Sequence, residues 1–187
     1  MFDLFGARRK QAERCDEVLG QTVMEVCQWI EELGERNELA APPEFTALGT
    51  SATGLVAAAY MAPITFARAN GNLDKRKAIP YIEAVGRFFK GADVGVESVR
   101  QGGSKGEFDF SSKAVRDRLT ASYQKQATKM EAYTEGYRDF MSKGPGCGAG
   151  VLLCEMVTLD VYGEKMFDPI FAMQVLDLPR IIAERLS

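Results

Sequence analysis

Apolar residues recur at intervals of three and four along most of the chain, the signature of helices with one buried face. From Ala12 onward a stripe runs through Cys15, Leu19, Thr22, Val26, Trp29, Ile30 and Leu33. It stops at Gly34 or in the cluster Glu35-Arg36-Asn37, and Pro42-Pro43 marks the break. A second helix is expected from about Thr46 to Ala69, where Thr50, Gly54, Ala58 and Ala62 repeat every four residues. Such a ridge of small side chains lets a neighbouring backbone approach closely. Pro63 should kink it, because proline lacks an N–H and crowds the carbonyl of Ala59.

Asn70-Gly71-Asn72 reads as a turn. A third helical region carries Ile79, Ile82, Val85, Phe89, Val96 and Val99 on one face, with a break expected near Gly91. Residues 101–107 (QGGSKGE) are the best candidate for a flexible linker. Ser111 then reads as an N-cap for a helix whose Leu119, Tyr123, Gln126, Met130, Tyr133, Tyr137 and Phe140 alternate by four and three. Lys143-Gly144-Pro145-Gly146 stops it. A short helix is expected from about Ala149 to Tyr162, ending at Gly163. Asp168-Pro169 supplies an N-cap and a first-turn proline, and Asp177-Leu178-Pro179 restarts the pattern for a last turn or two.

No stretch shows the sustained period-two alternation of a strand. The expected fold class is therefore all-α: a single domain over residues 1–187, a bundle of six or seven helices around a buried, small-residue-rich central helix. The length of 187 residues fits one domain.

Composition narrows the chemistry more than it narrows the fold. There is no histidine anywhere, which excludes Ser-His and Cys-His catalysis and every His-ligated metal. Cys15, Cys27, Cys147 and Cys154 form no C-x-x-C pair and are expected as reduced thiols. In Met1–Lys10 the apolar residues precede the cations, the reverse of a secretory signal, so the expected location is the cytoplasm. From Phe45 to Ala67 there is no charged side chain, enough length to span a bilayer. Its threonines, glycines and alanines contribute little insertion energy, and a central helix is the expected outcome.

Charge is uneven: residues 1–67 carry net −5, residues 68–129 net +6 and residues 130–187 net −4. The basic middle is interleaved with acids and carries no nucleic-acid-binding motif, so nucleic acid is not the expected partner. Asn70-Gly71 and Leu73-Asp74 echo the middle of a calcium loop. The liganding positions would fall on Phe66, Arg68 and Lys77, which cannot hold the ion. No cofactor and no metal are expected.

Three candidate sites remain. Phe2, Leu4 and Phe5 followed by Arg8, Arg9 and Lys10 form an apolar tip with a basic flank, suited to a partner's groove or an anionic membrane surface. The alternative is that the tip packs on its own domain. Tyr123, Met130, Tyr133, Tyr137 and Phe140 form an amphipathic aromatic seam, suited to a pocket rim, an interface or plain core. Cys147 sits among glycines that could open a helix and lower its pKa, or it fills a tight connection. The expected function is a non-enzymatic helical protein that binds another protein or itself, as an adaptor, chaperone or assembly subunit. The alternative is a bundle that binds a lipid or other apolar small molecule, in a form suited to the periphery of a membrane. A thiol enzyme centred on Cys147 ranks third.

Overall fold

The computed structural model describes residues 4–41, 45–69, 84, 135, 139, 142 and 149–186. Its first helix, α1 (Leu4–Arg36), contains no proline and runs unbroken for 33 residues. The predicted stripe is its buried face: Cys15, Val18, Leu19, Thr22, Val26, Ile30 and Leu33 are all inside. Val23 and Cys27 widen that face, whereas Trp29 is only partly covered. α1 begins eight residues before the stripe that announced it. Pairs on its surface support the extra turns, Arg9 Nε to Glu13 at 2.8 Å and Arg14 to Glu17 at 3.6 Å.

The helix stops in a Schellman motif. Leu39 N donates to Gly34 O at 3.0 Å and Glu38 N to Glu35 O at 3.4 Å. Glu38 occupies the left-handed position that glycine usually takes, with φ 55°.

The second helix, α2 (Phe45–Ala69), has the expected limits and continues across Pro63. Residues 51–59 are buried around the whole circumference of the helix. This segment is the small-residue-rich central element, packed against α1 and against both C-terminal helices. Thr53 reconciles its hydroxyl with burial by donating to Gly49 O at 2.7 Å. Among the described residues, no helix is long and apolar enough to cross a membrane.

The third described helix, α3 (Ala149–Tyr162), ends at Gly163, whose φ of 78° again needs glycine. The connection to the next helix is tied down by Thr158, which accepts from Met166 N at 2.9 Å and donates to Cys154 O at 3.0 Å. The fourth, α4 (Pro169–Leu186), starts as expected, with Asp168 Oδ1 accepting from Phe171 N at 2.8 Å. The expected restart at Asp177-Leu178-Pro179 does not occur, and α4 runs straight through Pro179. Leu178 and Ile182, on either side of the proline, are buried on one face. Arg180 also bridges the site, reaching Asp177 at 2.5 Å and Glu184 at 2.6 Å. Burial on both sides outweighs the single hydrogen bond that proline removes.

Every described element is helical, and there is no strand among the described residues. One core joins all four helices through Ile30, Leu33, Leu55, Leu153, Phe171 and Leu178, none of which reaches solvent. Each such side chain contributes about 1.5–3 kcal/mol by leaving water. Apart from the buried Ala84, the third helical region lies outside the described residues, as do the linker 101–107 and most of the Ser111-capped helix.

Candidate functional site

The last turn of α1, the loop after it, the start of α2 and the end of α3 enclose a cleft of about 370 Å³. Glu31, Gly34, Glu35, Leu39, Ala41, Leu48 and Tyr162 line it. Gly34 makes the arrangement possible. A Cβ there would overlap the Tyr162 hydroxyl and lie 2.8 Å from its Cζ. With only hydrogen at Gly34, Tyr162 lies flat on α1 and its Oη donates to Ile30 O at 2.6 Å. Burial raises the Tyr162 pKa, and the negative charges of Glu31 and Glu35 act the same way. The phenol therefore stays protonated and serves as a donor.

Behind the cleft lies the principal polar tie between α1 and α4. Asp168 is buried and accepts from Arg36 Nε at 3.2 Å, from Arg36 Nη2 at 3.1 Å and from Asn37 Nδ2 at 2.9 Å. Burial alone would raise its pKa. The hydrogen bonds from Arg36, Phe171 N and Asn37 outweigh that and hold it at about 2. Asp168 N in turn donates to Cys154 Sγ at 3.2 Å. Burial pushes the Cys154 thiol up from its ordinary value, and pushes Cys27 up to about 11 with help from Glu31. Thiols raised in this way are poor nucleophiles at neutral pH. Among the described residues, no group of three or more acids and cysteines is placed to hold a metal ion.

Apart from Met24 on α1, the large apolar side chains exposed among the described residues lie on the two C-terminal helices and the connection between them. Val151, Leu152 and Leu159 of α3 are 38%, 45% and 47% exposed. Phe167, just before α4, and Ile170 and Met173, near its start, are exposed to a similar or greater degree. α3 carries only two charges in 14 residues, Glu155 and Asp160, both on its outer side among Val151, Leu152, Met156 and Leu159. The inner side, with Leu153, Cys154, Val157 and Val161, packs in the core. Gly150 brings α3 close to α4, since a Cβ there would meet Leu176 Cδ1 at 3.2 Å.

Of the sequence-predicted site residues, only some of those in the N-terminal tip fall among the described residues. Leu4, Phe5 and Arg8 belong to the first turns of α1, while Phe2 lies outside the described residues. Arg9 and Lys10 are exposed there, with Arg9 held by Glu13. The tip is therefore continuous with α1. Tyr123, Met130, Tyr133, Tyr137, Phe140 and Cys147 all lie outside the described residues. Sequence reasoning passed over the outer face of α3 and the cleft beside it. The face had a legible signal, the near absence of charge between residues 149 and 162. The cleft had none, because it joins residues from three separate parts of the chain. Comparison with protein-family models, with curated proteins and with solved structures finds no match.

Proposed function

We propose that this chain is a non-enzymatic helical protein that works by binding another protein, as an adaptor, chaperone or assembly subunit, through the outer face of α3. One observation carries the reading: α3 holds only two charged residues in 14, yet its Val151, Leu152 and Leu159 stand open to water. A helix of that character is ordinarily enclosed. Covering the face would contribute roughly 25 cal/mol for each Å² of apolar surface removed from water. The same reading places the protein in the cytoplasm, where buried thiols such as Cys27 and Cys154 stay reduced.

The test is cross-linking in the source cells with tagged wild type and with the double variant Leu152→Glu/Leu159→Glu. A discrete protein partner is expected with wild type and lost with the variant, while circular dichroism and melting stay unchanged. Identical capture by both forms would overturn the proposal. So would native mass spectra showing a co-purified apolar small molecule on this face.

A further inference from the structure

The outer face of α3 does not end in open solvent; it runs into the cleft. Leu152 and Leu159 are two turns apart on one side of the helix, with Glu155 and Met156 between them, and Tyr162 follows Leu159 by three residues. Tyr162 is also a wall of the cleft. An apolar stripe and a polar pocket are thus continuous through a single side chain.

The pocket has a definite charge. Along α1, Glu13, Glu17, Glu25 and Glu32 are each paired with an arginine. Glu31 and Glu35, one turn apart and both exposed, have no cationic partner among the described residues. They sit in the last turns of α1, where the helix dipole adds further negative potential. Leu39 and Leu48 supply apolar wall beside them. A carboxylate pair with such walls suits a cation carried on a methylene stem.

Resting on the protein-binding reading above, we infer that the partner segment is an amphipathic helix with a lysine or arginine at one end. Its apolar side lies on α3, and its cationic end enters the cleft between Glu31, Glu35 and Tyr162. This fixes the direction in which the segment lies. It also disfavours a second copy of the chain through its C-terminal helices. α3 carries no cation, and Arg180 and Arg185 of α4 are already engaged by Asp177, Glu184 and Glu25.

Selection of random 16-residue peptides displayed against the full chain tests the assignment. Enriched peptides should carry apolar residues at spacings of three and four with Lys or Arg at one end. Glu31→Gln/Glu35→Gln should weaken them about 5- to 30-fold, the effect of losing roughly 1–2 kcal/mol, and added salt should do the same. Leu152→Glu/Leu159→Glu should abolish binding. Peptides lost with the leucine variant but indifferent to the glutamines and to salt would overturn the inference and leave the protein-binding reading standing. A wild-type dimer in sedimentation that becomes monomeric on Leu152→Glu/Leu159→Glu would overturn the inference too. No enrichment, or peptides indifferent to the leucine variant, would remove both.

Discussion

At the scale of single residues, Gly34 and Asp168 hold the end of α1 in place by opposite means, one by lacking atoms and the other by carrying charge. Gly34→Ala forces Tyr162 off α1 and breaks its hydrogen bond to Ile30 O. The expected cost is about 1–3 kcal/mol, seen as a lower urea midpoint with an unchanged slope. Asp168 makes a prediction in pH. Its folded pKa of about 2 lies below its ordinary value of 3.8, so the unfolded chain binds the proton more readily. The stabilisation is therefore complete above about pH 4 and is lost as pH falls toward 2. It amounts to about 2 kcal/mol at neutral pH. Asp168→Asn keeps an oxygen to cap α4 but removes the charge. Chemical denaturation across pH 2–5 should show a shallower loss of stability for this variant than for wild type. Parallel curves would mean that Asp168 carries no such linkage.

At the scale of elements, local rules predicted boundaries well wherever the chain supplied its own stop. Gly163 and the Asp168-Pro169 start fall where the sequence placed them, as do the limits of α1 at its C-terminus and of α2. The misjudgement was Pro179. A local rule sees the missing N–H, but the decisive term is the burial of Leu178 and Ile182 against other parts of the chain. Pro179→Ala restores a donor to α4 and is expected to stabilise the protein by about 1–2 kcal/mol, measured as a higher melting temperature. An unchanged or lower value would show that the half-buried ring itself packs well enough to offset the lost hydrogen bond. The start of α1 was placed too late for a related reason: before Ala12 the sequence shows no stripe of threes and fours to announce its first turns.

At the scale of the whole molecule, the sequence disclosed class and core but not assembly. Periodicity identified which side of α1 faces inward, and the central position of α2 followed from its small, uncharged side chains. The candidate site was half legible. The sparsely charged run of α3 is written locally, whereas Glu31, Leu39, Leu48 and Tyr162 meet only because the helices pack as they do. The ion pairs that lock that packing were beyond reach for the same reason. Arg36 reaches Asp168 across 132 positions, and Arg185 meets Glu25 across 160.

Those two long ties have a consequence for biosynthesis. α1 emerges from the ribosome first and α4 last of the four described helices, yet they are fastened to each other at both ends, by Asp168 near one and by Arg185 near the other. While the chain is still being translated, the greasy side of α1 has, among the described helices, only α2 to lie against. Closure has to wait for the final segment, a delay of several seconds at ordinary elongation rates of roughly 5–20 residues per second. During that interval the nascent chain is exposed to holdase chaperones and proteases, and a product truncated before Asp168 would lack both ties.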